Sequence, residues 1–167
     1  IRERVPVARI EAGEQAALLD ATATPFAGTG VEVANELPRI RLAEGPIPQA
    51  AEPELSAALE LAYRPPEHGL AVASEVAVAA ADDPQGFSLL LPGLAGRVVL
   101  GREAPEARLA DLAALLAAGL PEVAAAPIID LRFADRAVLG GGPPQGGAAQ
   151  VAPGRGGATA SRPGSSG

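Results

Sequence analysis

The stretch Pro127-Ile128-Ile129-Asp130-Leu131-Arg132-Phe133-Ala134-Asp135-Arg136-Ala137-Val138-Leu139 is the last part of the chain with a hydrophobic pattern. Beyond Leu139 the sequence turns to Gly, Pro, Ala and Ser and regains no period. The stretch supplies one or two strands, and the later one falls last in the fold. A terminal strand with nothing after it to pair its outer side is either an aggregation hazard or a place where a partner strand docks.

Moving toward the N-terminus, residues 105–118 read as a helix. Leu109, Leu112, Leu115 and Leu116 make its apolar stripe, and Gly119 and Pro121 stand where a C-terminal stop belongs. Residues 86–101 read as a hairpin. Phe87, Leu89 and Leu91 point one way, Pro92-Gly93 and Gly96 make the turn, and Val98 and Leu100 return. Residues 70–80 alternate as a strand through Leu70, Val72, Val76 and Val78. Residues 52–63 read as a second helix, with Pro53 at its first turn and Leu55, Ala58, Leu59 and Ala62 on one face. Before it come strands at 2–12, 16–19 and 37–42, with a return at 25–27; residues 28–36 carry no clear pattern.

Strands, helix, three strands, helix, strands is the order of an α+β domain, expected as a mostly antiparallel sheet with two main helices packed on it. Residues 1–139 form this domain, enough for one real core. Residues 140–167 hold ten of the 20 glycines and are expected to be a disordered tail, unable to bury enough apolar surface to offset their ordering entropy.

Composition narrows the function. Aromatics are 2% of the chain against 48% apolar residues, so Leu, Val, Ile and Ala must build the core. All 13 basic residues are Arg, and the net charge is −7. Arg155 and Arg162 lie in the tail, which holds no acid, so the body is more acidic still. An acidic body without a basic stripe argues against nucleic acid as a partner. With no cysteine, disulfides and thiolate metal sites are excluded. No apolar run reaches the ~18 residues that would span a bilayer. The first residue is Ile rather than Met, and a preceding segment carrying any anchor is expected.

No catalytic constellation emerges. His68 is the single histidine and sits in a Pro- and Gly-rich loop, too isolated for a metal centre. There is no G-x-S-x-G, and Ser56, Ser74 and Ser88 fall in regular elements. Asp82-Asp83 before Pro84 reads as a turn. Gly140-Gly141-Gly142 precedes no helix and no Gly-Lys-Ser/Thr, so it is not a phosphate loop, and Gly28-Thr29-Gly30 is a bare G-x-G. The expectation is a non-enzymatic protein with no cofactor, no metal and no small-molecule substrate. A cell-wall hydrolase would lack any nucleophile or metal set.

Four separated segments resemble the β domain of the bacterial cell-division protein family FtsQ/DivIB. Glu3-Arg4-Val5-Pro6-Val7-Ala8 resembles the E-R-x-P-V-A with which that family leaves its POTRA domain. Leu37-Pro38 with Ile40 resembles its L-P-x-hydrophobic segment. Ser74-Glu75-Val76, then Phe87 to Leu91 and Val98-Val99-Leu100-Gly101, resemble its S-E-V strand and a hairpin ending in L-G. Ile129-Asp130-Leu131-Arg132-Phe133 resembles its I-D-L-R-Y/F signature. The order and spacing of these segments cover about residues 3–139. Two places depart from the pattern. The usual D-x-x-G turn stands here as Asp20-Ala21-Thr22-Ala23-Thr24, and the glycine after the last signature is replaced around Asp135-Arg136.

The resemblance implies a divisome scaffold, the third part of a protein that also has a POTRA domain and one N-terminal transmembrane helix. This part would lie on the extracytoplasmic side of the cytoplasmic membrane, at the division septum. The family binds FtsB, which pairs with FtsL, and so helps control septal peptidoglycan synthesis. The binding surface implied is Arg108, just after the hairpin that ends in L-G, with Arg132, Phe133, Ala134, Asp135, Arg136, Ala137, Val138 and Leu139. Residues 133–139 would be the docking strand, ~23 Å long. Two alternatives stay open at these positions. Arg108 and Arg132 either offer forked donors to an acidic partner or pair with carboxylates of the body. Phe133 either packs in the core or faces the partner. A second use of the same architecture is a POTRA-linked outer-membrane assembly module that binds client β strands.

Overall fold

The computed structural model describes residues 3–28, 35–133, 135–140 and 149–151. Its strands are β1 (Ala8–Ala12), β2 (Gln15–Leu19), β3 (Pro25–Phe26), β4 (Arg39–Leu42), β5 (Glu75–Val78), β6 (Phe87–Leu90), β7 (Arg97–Gly101), β8 (Ile128–Asp130), β9 (Ala137–Gly140) and a short β10 (Ala149–Val151). The helices are α1 (Pro53–Tyr63), α2 (Pro105–Ala117) and the single turn and a half of α3 (Pro121–Ala125). The first nine strands form one sheet in the order β9-β8-β7-β6-β5-β4-β1-β2-β3, and β10 adds to the outer side of β9.

The α+β class is as expected, but the sheet is mixed. β1 and β4, β4 and β5, and β7 and β8 pair parallel. The physical reason lies in the connections. α1 separates β4 from β5, and α2 with α3 separates β7 from β8. A helical crossover carries the chain back to the starting end of the sheet, so the next strand runs parallel to the last. The antiparallel pairs are those joined by turns, such as β1–β2 and β6–β7.

Both long helices lie on the same side. Ile10, Ile40, Val76, Leu89, Val98 and Ile129 alternate onto that face of the sheet and are fully buried. Leu55, Ala58, Leu61 and Ala62 of α1 and Leu109, Leu112 and Leu115 of α2 complete one core with them, together with Val123 of α3. Pro53 and Pro105 occupy the first helical turns, where a missing N–H costs nothing.

The strand expected over 70–80 is confined to Glu75–Val78. The preceding backbone bonds to the helical layer instead. Leu70 N–H donates to Pro65 O at 3.1 Å and Ala73 N–H to Ala62 O at 3.0 Å. Tyr63, at the last turn of α1, donates its hydroxyl to the carbonyl of Val7, while Val7 N–H reaches Leu19 O at 2.8 Å. The N-terminal segment is thereby tied to the helix layer and to β2.

The terminal unit is shorter than its hydrophobic pattern suggests. β8 ends at Asp130 and β9 begins only at Ala137, so Leu131, Arg132, Phe133, Asp135 and Arg136 belong to neither strand. Four residues give β9 a length of ~13 Å. Most of the expected disordered tail lies outside the described residues. Of those described, Gly140 closes β9 and Ala149–Val151 pair with it antiparallel.

The hydrogen-bond pattern of β9 follows from its neighbours. Arg97 N–H donates to Pro127 O and Leu131 N–H to Val99 O, so Ile129 turns its amide groups toward β7. Ile128 and Asp130 therefore turn theirs toward β9, opposite Gly140 and Val138. Ala137 and Leu139 are left to face outward, and they are the register partners of Val151 and Ala149. Two such pairs exchange four bonds, each contributing about 0.5–1.5 kcal/mol net. Fixing three residues costs about 1–2 kcal/mol apiece, so β10 adds little net stability.

Candidate functional site

The candidate site is built at the end of the sheet, where Asp130 closes β8 and organises the link to β9. Its Oδ1 accepts the backbone N–H of Arg132 at 3.1 Å and Arg132 Nε at 3.0 Å, while Oδ2 takes Arg132 Nη2 at 2.6 Å. The arginine stem lies over Gly101, whose backbone sits at φ +81° and where an added Cβ would come within 3.1 Å of Arg132 Cγ. Arg132 is thus held in place by its own neighbour. Burial alone would raise the Asp130 carboxyl, but the hydrogen bonds and charge of Arg132 outweigh it and hold the pKa below the ordinary value.

This has a pH consequence. A carboxyl depressed in the folded state stabilises fully above its unfolded value, ~3.9, and loses that contribution as pH falls through the folded value. Asp130→Asn should therefore cost about 1 kcal/mol at pH 7 and less at pH 2. Chemical denaturation at the two pH values checks this; an equal loss at both would contradict it.

Phe133 does not join the core. It is 42% exposed, with Arg136 Cζ 5.1 Å and Arg132 Cζ 5.9 Å from its ring centre. Both distances permit cation–π attraction. Asp135 and Arg136 are exposed, Ala137 and Leu139 turn their side chains into the core, and Val138 is half-buried on the opposite face. Ala134 lies outside the described residues. Beside this link is a cleft of about 350 Å³ lined by Pro84, Leu100, Arg102, Glu103, Arg132 and Phe133.

Arg108 comes from a separate element. It stands on α2, pairs with Asp111 three residues on at 3.1 Å, and buries its Nε without a hydrogen-bond partner. Of the two openings left by the sequence, both arginines take the pairing with a body carboxylate, and Phe133 takes the exposed position.

Two features were not foreseen at the level of the sequence. Ile128 is 45% exposed on the sheet face away from the helices, where it extends the apolar surface around Val138. Glu75 is buried on that same face. It accepts Arg41 Nη2 and Arg97 Nη2, each at 2.8 Å, and Arg39 Nη1 lies 3.6 Å away. Burial works to raise the Glu75 carboxyl, but Arg97 and Arg41 outweigh it and keep it below the ordinary range. Arg9 and Arg39 share a second carboxylate, Glu11, alongside. The pattern Arg39-x-Arg41 opposite Glu75 was visible as residues, but nothing local marked them as partners.

His68 ends a short 3₁₀ turn, Pro65–His68, and Asp83 caps the turn at Pro84 by accepting Gln85 N–H at 2.8 Å. Among the described residues no three His, Cys, Asp or Glu are grouped to hold a metal, and no helix is long and apolar enough to cross a membrane. No family model matches the chain, and no curated protein matches it.

Proposed function

We propose that the chain is a docking domain of the FtsQ/DivIB type, which takes up an extended segment of FtsB, in its complex with FtsL, along β9. The observation that carries this reading is the terminal β8–β9 unit. Ala137 and Leu139 turn their backbone groups away from the sheet, while Phe133, Arg136 and Ile128 stand exposed beside them. Strand addition uses that arrangement: main-chain bonds give affinity and flanking side chains give specificity. A further support comes from the turn that departs from the family pattern. Asp20 accepts the N–H groups of Thr22 and Thr24 at 2.9 and 3.1 Å, and Ala23 takes φ +57°. That is the position where the D-x-x-G pattern has glycine, the residue that takes this conformation without strain. The septal location and the membrane anchor belong to the same proposal. So does the expectation that the chain catalyses nothing. Use as an outer-membrane assembly module is the competing function, and the outer side of β9 serves either client.

The test spares the structural contacts. Val138→Pro is unsuitable, because the Val138 N–H belongs to the β8 ladder. Arg132→Glu is unsuitable as well, since it sets a second carboxylate against Asp130. Phe133→Ala combined with Arg136→Glu changes only exposed side chains. It should weaken binding of an FtsB ectodomain peptide about ten-fold or more, as expected for an exposed aromatic–arginine anchor. The thermal midpoint should move by no more than ~2 °C. Unchanged affinity, measured by calorimetry, would remove the proposal.

A further inference from the structure

The outward groups of Ala137 and Leu139 are already occupied by this chain. β10 pairs with β9 in the register Ala149↔Leu139, Gln150↔Val138 and Val151↔Ala137. It is three residues long, and it is the only partner β9 has on that side among the described residues. Eight residues, Gly141 to Ala148, separate it from β9, and four of them are glycine. An incoming strand needs the same backbone groups, so the two cannot bind together.

We propose that the Ala149–Val151 segment is a competitive placeholder on the docking edge, which a partner strand must displace. The inference rests on the strand-addition function above and adds its regulation. Three features favour exchange. The segment is too short to add much net stability. It follows a strand whose other side is firmly paired to β8. Only eight residues of sequence tether it to the strand it covers, so it stays close to the edge when released and closes again when the partner leaves. The cover also lessens the hazard of an exposed terminal strand, since an edge of three residues is a poorer template for a second molecule. The apparent affinity for a partner is then the intrinsic affinity reduced by the fraction of time the edge is open.

The experiment uses the full chain with Val151→Pro, which removes the donor that Val151 supplies to Ala137 O. Two quantities are read. Hydrogen exchange at the Ala137 and Leu139 amides should accelerate, while the Val138 amide, bonded to β8, keeps its rate. The FtsB ectodomain peptide should bind more tightly, by about ten-fold if the edge is open a tenth of the time in the unaltered chain. Ala149→Pro should act the same way, and a synthetic peptide of residues 145–155 added to the Val151→Pro chain should restore protection at Ala137 and Leu139. Unchanged exchange in both proline variants would overturn the placeholder. Faster exchange with unchanged peptide affinity would overturn the competition. Faster exchange, restored by the 145–155 peptide, with no FtsB binding to any chain would uphold the cover and sink the assignment of the partner instead.

Discussion

Glu75→Gln is expected to lower stability by about 3 kcal/mol, although the substitution keeps the shape of the side chain. The carboxylate is 5% exposed and lies between Arg41 and Arg97, with Arg39 close by. Removing its charge leaves several guanidinium groups around a neutral amide, one half of which is a donor facing donors. The arginines themselves are 26% to 51% exposed, and water screening keeps the loss at the low end of the range for broken buried pairs. For a domain of this size that corresponds to a fall of ~10 °C in the thermal midpoint. The individual arginines should matter in order of burial, with Arg97→Ala costing more than Arg41→Ala. The acid side gives an independent reading. Glu75 is depressed in the folded state, so its contribution is complete above ~4.3 and fades as pH falls through the folded value. The Glu75→Gln chain should lose less stability between pH 5 and pH 3 than the unaltered one. A midpoint within ~2 °C of the parent at pH 7 would refute the central role of the carboxylate.

The other large effect is expected at Gly96. A Cβ there would lie 2.1 Å from Pro127 O and 2.3 Å from Ala126 O. These are backbone atoms that cannot turn aside, and they belong to the segment leading into β8. Arg97 N–H bonds to Pro127 O at 3.0 Å, and Ala95 N–H to Ala124 O at 2.9 Å, so the two backbones are clamped on either side of the glycine. Gly96→Ala should cost about 3 kcal/mol or more. The damage should be local before it is global. β8 meets β7 over three register pairs, and β9 is joined to the rest of the sheet through β8. Native-state exchange should therefore show the amides of Ile129 to Leu139 opening well before those of β5 and β6. Uniform destabilisation across the sheet would argue that β8 and β9 are not a separately hinged unit.

Much of the architecture was legible in the residues. α1 and α2 were marked by Pro53 and Pro105 and by leucine stripes at helical spacing. The β6–β7 hairpin was marked by alternation and by Gly93 and Gly96. Pairing direction was not legible as periodicity, because a strand carries the same alternation whichever way its neighbour runs. It could have been deduced from the helices between β4 and β5 and between β7 and β8. The cluster around Glu75 was hidden for a different reason. Its arginines come from β4 and β7, strands brought beside β5 only by the finished sheet. β10 left no trace, since Ala149-Gln150-Val151 lies among Gly and Pro and is too short to show a period. At the candidate site the sequence offered Arg108 and residues 132–139 as the binding surface. It ran the terminal strand from Phe133, whereas β9 begins only at Ala137.

The bond from Tyr63 to Val7 has a spectroscopic consequence. The chain has one tyrosine and no tryptophan. Its intrinsic ultraviolet emission therefore comes from a single phenol, and that phenol is fastened to the strand that leads into the sheet from the N-terminus. Emission intensity during unfolding would follow the release of that one latch, not the melting of the molecule as a whole. A chain that holds its far-ultraviolet signal while its tyrosine emission changes would be shedding its first strand and keeping the rest.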